Sequence, residues 1–329
     1  MSDKERELIS RIQGEITDSL GYDGEISEQR EKAQEYYYAL PFGNEVEGRS
    51  QYVDSTVQDT IEWIKPSLMR VFASGDEMVK FTPHGPEDVA AAEQATDYVN
   101  YVFTKDNPGW EILYSWFHDA LLQKNGIVKV WWDEYEEAKR EEYQNLGDLE
   151  FEYLISDDDV EVLEHTEVEG PEGVYHDVVI KRSNYDGRVR IENVPPDEFL
   201  ISREAKSIKD ARFVCHRVKK TLSELRIMYP DDDFTIEDLG GGYNEQSYNA
   251  ERLARYEFDQ SEDMAEGWGG NEEEALREYW LHESYLRTDF DDDGIAELRK
   301  VCTVGDYVFA NEEIDSIPFV SITPLKIPH

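Results

Sequence analysis

Asn125-Gly126-Ile127-Val128-Lys129-Val130-Trp131-Trp132 is where the grammar of the chain changes. Before this stretch, apolar residues recur every three or four positions, the helical period. From Ile127 onward they alternate or run together in short blocks rich in β-branched and aromatic residues, the signature of strands. The change predicts an α+β chain: residues 1–125 form a helical region, and residues 126–329 form a mostly antiparallel β region carrying long acidic loops.

On the helical side, Leu8, Ile9, Ile12 and Ile16 make one stripe that Gly21 should end. A second helix is predicted from Glu28 to Leu40, ahead of Pro41-Phe42-Gly43. A third is capped by Asp54 or Ser55, with Val57, Ile61, Ile64, Leu68 and Val71 or Phe72 as its apolar face. Pro66 inside that face should kink or split the helix, because proline lacks an N–H and clashes with the preceding turn. A short strand is expected at Val79-Lys80-Phe81, and Pro86 opens a further helix whose inner side is Ala92, Ala95, Val99 and Phe103. Trp110, Leu113, Tyr114, Phe117 and Leu121 give the last stripe. Trp63, Trp110, Phe117 and Leu121 are expected to be buried on these faces.

On the β side, residues 133–169 hold 16 acidic residues and only Lys139 and Arg140 as bases, which reads as a solvated hairpin arm or mobile loop. Tyr175–Lys181 and Arg188–Glu192 read as strands joined by a turn at Asn184-Tyr185-Asp186-Gly187. Further strands are expected at Phe199–Ile201, Phe213–His216, Leu276–Tyr285, Ile295–Thr303, Tyr307–Phe309 and Phe319–Ile322. Thr221-Leu222-Ser223-Glu224 is a capping box that starts a short helix. Residues 231–273, with Asp231-Asp232-Asp233 and Gly240-Gly241-Gly242, read as a long mobile connection.

The charge is the outlier of the composition: 75 acidic against 33 basic residues, for a net −42 over 329 residues. A field of that sign repels nucleic acid and anionic membranes at long range. Three readings fit it: plain solubility, a surface for cations or basic partners, and a wall past which DNA slides without sticking. Aromatics at 12% place the chain among folded proteins. Two cysteines, Cys215 and Cys302, cannot build a four-ligand zinc site and suit a reducing compartment. The charged N-terminus has no signal-peptide pattern, and no apolar run approaches the ~20 residues of a membrane helix, so a soluble protein, intracellular at the time of synthesis, is expected.

Catalytic motifs are missing from the sequence. There is no P-loop, no G-x-S-x-G and no H-E-x-x-H. His84, His118 and His216 have no partner at metal-ligand spacing. The Tyr36-Tyr37-Tyr38 and Trp131-Trp132 clusters are flanked by acids, which favours packing over base stacking. One motif carries possible chemistry. Asp289-Phe290-Asp291-Asp292-Asp293-Gly294 follows D-x-D-x-D-G, with Glu297 three residues on. Carboxylates at alternate positions suit calcium, so Asp289, Asp291, Asp293 and Glu297 are the candidate ligands. It is not an EF-hand, since the twelfth position is Lys300 and the flanks read as strands. A bare acidic β-turn with no cofactor explains the same residues.

The order of several segments resembles a known family. Arg49-Ser50-Gln51-Tyr52-Val53-Asp54-Ser55-Thr56-Val57 continues through Trp63-Ile64-Lys65-Pro66-Ser67-Leu68 to Phe72, and Phe81-Thr82-Pro83 follows. Later come Asn125–Val130, Val194-Pro195-Pro196-Asp197-Glu198-Phe199, Gly294-Ile295-Ala296-Glu297-Leu298 and Ile317-Pro318-Phe319-Val320. Together these resemble the N-terminal part of bacteriophage portal proteins, the head-to-tail connectors, of the P22-like podovirus type. The resemblance implies a wing-like region of a non-enzymatic virion subunit. It implies a dodecameric homo-oligomer at one capsid vertex, assembled in the host cytoplasm, working in capsid assembly and in viral DNA packaging and ejection. The implied partners are the terminase packaging ATPase and the capsid, scaffold, neck and tail proteins, with double-stranded DNA passing through unread. It also implies that a chain ending at Ile327-Pro328-His329 stops before stem and crown. The competing readings are an acidic calcium-dependent enzyme, such as a carbohydrate-active hydrolase, and a halophilic binding protein or DNA mimic.

Overall fold

The computed structural model describes residues 3–324 except 42, 44–47, 51, 76, 158, 171–172, 231, 240–273 and 292. The fold mixes helices with antiparallel sheet, and the change at Gly126 is where the first strand begins. The expected mobile segment 231–273 lies mostly outside the described residues. Its early part, 232–239, is packed, with Phe234 and Leu239 buried. The chain divides into two compact units, one of residues 1–130 with 191–329, the other of residues 131–190.

In the larger unit, α1 (Asp3–Tyr37) is a single helix of 35 residues. It runs straight through Gly21, where two helices are expected from the sequence. Each helical glycine costs about 1 kcal/mol relative to alanine. Packing overrides that cost: Leu8 and Ile12 are buried against Leu200, Phe213, Leu286 and Val301. Further along the same helix, Arg30, Gln34 and Tyr37 are buried too.

The next helix, α2 (Thr56–Phe72), continues across Pro66 without splitting. Ser55 is its N-cap residue but makes no side-chain capping bond. Helix α3 (Val89–Tyr101) passes into a π-helical turn, Val102–Asp106, before α4 (Gly109–Leu122). The expected strand at Val79–Phe81 is an extended segment without a strand partner. Two side chains of α3, four residues apart, replace that partner. Asn100 Oδ1 accepts from the N–H of Met78 (2.8 Å) and Val79 (3.1 Å), and Thr96 Oγ1 accepts from Phe81 N–H (3.0 Å). That explains why polar Thr96 and Asn100 are the buried centre of α3, with Ala92, Ala95, Val99 and Phe103 half-buried beside them.

A five-stranded antiparallel sheet follows, in the order β4 (Phe199–Ile201), β5 (Phe213–Thr221), β6 (Glu278–Thr288), β7 (Glu297–Val304), β8 (Tyr307–Glu313). Between β5 and β6 lies α6 (Leu222–Met228), started by the expected capping box: Thr221 Oγ1 accepts from Glu224 N–H, and Glu224 Oε2 accepts from Thr221 N–H. The sheet is covered on both faces, which is why Phe213-Val214-Cys215 is buried without interruption. Phe213 and Cys215 join the layer under α1, and Val214 turns the other way toward Ile127, Tyr285 and Phe319. The start of β1 (Gly126–Leu146) pairs antiparallel with β9 (Phe319–Ile322), Gly126 opposite Ile322.

The smaller unit is built from the rest of β1, α5 (Asp148–Ile155), β2 (Val160–Gly170) and the first part of β3 (Gly173–Val194). Of the two expectations for the acidic stretch, the hairpin arm fits: β2 pairs antiparallel with β3, and the rest of the stretch is strand β1 and helix α5 rather than loop. Arginines of β3 make this possible by answering the acids: Arg182 reaches Asp157 (2.8 Å) and Glu141 (3.4 Å), and Arg190 reaches Asp133 (3.2 Å). The turn expected at Asp186-Gly187 does not form, and β3 runs through it as one strand of 22 residues. Gly187 serves packing instead. A Cβ there would come within 2.4 Å of Cζ2 and 2.5 Å of Cε2 of the Trp132 indole, closer than contact allows.

Candidate functional site

The Asp-rich turn joins β6 to β7. It brings Asp289, Asp291 and Asp293 together, all three exposed, with carboxylate oxygens within 4.8 Å of one another. Their oxygens are engaged with the turn's own backbone. Asp289 accepts from the N–H of Asp293 (3.1 Å) and Gly294 (2.9 Å), and Asp293 accepts from Ile295 N–H (2.7 Å). Gly294 has φ +88°, a left-handed conformation that glycine adopts without strain. Glu297 stands apart from the three aspartates as a group and accepts from Phe290 N–H at 3.2 Å. The geometry is that of a turn closed by its own carboxylates.

A second polar cluster has no sequence signal. Glu283 lies on β6 opposite His216 of β5, and its side chain is 14% exposed. Lys129 of β1 makes an ion pair with it, Lys300 of β7 sits at 3.6 Å, His216 Nδ1 at 3.8 Å, and the Tyr285 hydroxyl donates to it at 2.6 Å. Burial alone would raise the Glu283 pKa, but His216, Lys129 and Tyr285 outweigh it and hold the group far below the usual carboxylate range. His216 also lies 3.8 Å from Glu198. Burial lowers its pKa, yet the two carboxylates leave the net raised. A general acid needs the opposite shift, a carboxyl group pushed up toward neutrality. Among the described residues, each Asp or Glu with a resolved shift is lowered. The hydrolase reading gains no support from this. The two cysteines are buried and free, and burial pushes the Cys215 thiol up to about 12.

The third feature is the helical layer. Its buried stripe on α2 is Ile61, Lys65 and Met69, one position round from the stripe read in the sequence. Lys65 is only 2% exposed. Glu62 (2.5 Å), the Tyr114 hydroxyl (2.9 Å) and His118 Nδ1 (3.2 Å) surround its ammonium, and Tyr37 donates to Glu62 at 2.6 Å. With Lys65 inward, Trp63 turns outward and is 84% exposed. Trp110 is 56% exposed, stacked on Tyr114 at 5.4 Å, while Phe117 is buried and Leu121 half-buried. The two tryptophans thus correct the sequence expectation, whereas Phe117 meets it. Tyr52, Val71 and Phe72 are exposed on or beside the same helix. Large apolar side chains in water mark contact surfaces when they gather on one element.

No described helix is long and apolar enough to cross a membrane. No curated protein matches the chain. A family model described as the phage SU10 portal protein does match, over residues 8–329, and the chain belongs to that family of structural, virion-borne phage portal proteins.

Proposed function

We propose that the chain is a subunit of a twelvefold portal ring that takes part in DNA packaging and ejection and joins head to tail. The observation that carries this reading is the outward pair Trp63 and Val71 on α2, eight residues apart and on the same side of the helix, in a chain whose family assembles into oligomers. Closed rings use heterologous interfaces, in which each subunit offers two different faces. An apolar helix face left uncovered in the single subunit is what one of them requires. The net charge of −42 suits the lumen side of the same function, because an acidic wall does not hold DNA. The order of segments from Arg49 to Val320 supports the finer P22-like affinity and a wing-like placement of the β region. On this reading the partners are the packaging ATPase and the capsid, scaffold, neck and tail proteins, and assembly takes place in the host cytoplasm.

Electron microscopy of the protein expressed from its complete reading frame tests the proposal. Twelvefold rings with an axial hole are expected, with Trp63→Ser shifting particles toward open or monomeric forms. Monomers at high concentration and high salt would reject it, as would turnover of a sugar or phosphodiester substrate.

A further inference from the structure

The β2–β3 hairpin of the smaller unit carries a cluster that the portal role does not use. Its register sets Glu167 directly opposite His176, and His165 opposite Val178. His165 and Glu167 are two residues apart on one strand, so they share a face, and His176 joins them from the neighbouring strand. Among the described residues, these three place their ligand atoms within 4.8 Å of one another.

Helix α5 covers this face. Phe151 stacks on both imidazoles, each at 4.5 Å, with interplanar angles of 9° for His165 and 19° for His176. The rings are therefore held in place rather than free to rotate. Asp148, the first residue of α5, lies 2.9 Å from His176 Nε2. A carboxylate there fixes the proton on Nε2 and leaves the Nδ1 lone pair pointing at His165 Nε2, 2.8 Å away. His176 is 7% exposed. Two imidazole nitrogens and a carboxylate thus converge, and one imidazole is backed through its other nitrogen by a second carboxylate. That outer carboxylate–histidine pairing is the support that metal-bound histidines regularly have.

We propose that His165, Glu167 and His176 bind a divalent transition metal of the zinc type, with Asp148 as the outer carboxylate. Imidazole nitrogen favours zinc, nickel or copper over calcium and magnesium, which prefer all-oxygen sites. Two nitrogens on a tetrahedral zinc stand roughly 3.3 Å apart, given metal–nitrogen bonds of about 2.0–2.1 Å. The rings need part by only about 0.5 Å for the metal to replace the shared proton. Three protein ligands leave the fourth position to water. The metal would tie α5 to both strands of the hairpin.

The site does not depend on ring assembly, and its test does not either. The whole protein is titrated with zinc chloride in a calorimeter, with calcium and magnesium in millimolar excess to occupy sites made of carboxylates alone. One zinc per chain is expected, with a rise in melting temperature. His165→Gln and Glu167→Gln lie on exposed positions and are expected to abolish the binding while circular dichroism stays unchanged. Asp148→Asn should weaken it by roughly 10–100-fold. Cobalt in place of zinc provides a readout free of any variant: intense visible bands report four-coordinate binding. Failure to bind zinc in the presence of calcium and magnesium overturns the proposal. So does zinc binding that both Gln variants retain, or cobalt spectra of a six-coordinate ion.

Discussion

Glu283→Gln is the substitution that probes the larger unit most directly, because it keeps the volume of the side chain and removes only its charge. In the native chain, the carboxylate holds Lys129, His216 and Lys300 together across β1, β5, β6 and β7. Both members of the closest pair are largely covered, with side-chain exposures of 12% for Lys129 and 14% for Glu283. Removing one partner of a buried ion pair costs about 3–5 kcal/mol, since the other charge stays behind in a poor solvent. The remaining exposure brings the expected loss toward the lower end, about 3 kcal/mol, or roughly 6–12 °C in melting temperature. The pH dependence identifies the cause. Glu283 is depressed in the fold, so its stabilisation is present above the ordinary glutamate value near 4.5 and fades as pH falls below it. Urea unfolding at pH 7 and again near pH 3 should thus show the gap between wild type and variant shrinking in acid. The His216 pKa, followed by NMR, should also drop once this carboxylate is gone. A loss under 1 kcal/mol, or an equal loss at both pH values, would refute the ionic account of the cluster.

Two further expectations follow from the same sheet. Burial and the nearby Arg217 lower the His282 pKa to about 4, so the unfolded chain takes up a proton first as pH falls, and stability drops between about 6.5 and 4. From pH 7 to 5 the loss is about 2 kcal/mol; His282→Gln should erase that slope in urea midpoints, leaving the opposite contribution of His216, whose stabilisation is lost as pH rises. At the Asp-rich turn, calcium at roughly 1 mM should leave the melting temperature unchanged, because the carboxylates already close the turn. A calcium-dependent rise abolished by Asp291→Asn would make the turn a cation site after all.

Which parts were legible in the sequence follows from what each signal depends on. The shift of period at Gly126, the capping box at Thr221 and the strands of the five-stranded sheet depend on local pattern, and they stand where the pattern puts them. Asp186-Gly187 has the composition of a turn, yet that glycine is there for the indole of Trp132, a contact from another strand that no local reading contains. Gly21 in α1 is similar: the sheet beneath the helix overrides a local penalty. The Glu283 and His165–His176 clusters are assembled by strand register. Residues at separations such as 154 and 11 have no spacing to recognise before the pairing is known.

Trp63 and Lys65 have a further implication. A helical stripe says which face is apolar, not which face is covered by the same chain. Here the fold turns the apolar Trp63 out and takes the cation Lys65 in, at the cost of supplying Glu62, Tyr114 and His118 around it. That choice makes sense if the outward face is covered by another subunit in the proposed ring. Covering one such tryptophan contributes about 3 kcal/mol at short range. Each pair of acids facing across a boundary at about 10 Å opposes it by only about 0.4 kcal/mol in water, less once salt screens beyond about 8 Å. A chain of net charge −42 can thus associate through a few large apolar contacts while its acids keep it from adhering to DNA. Added salt would weaken the repulsion and leave the apolar contacts intact, so the two terms separate in a salt series on the proposed assembly.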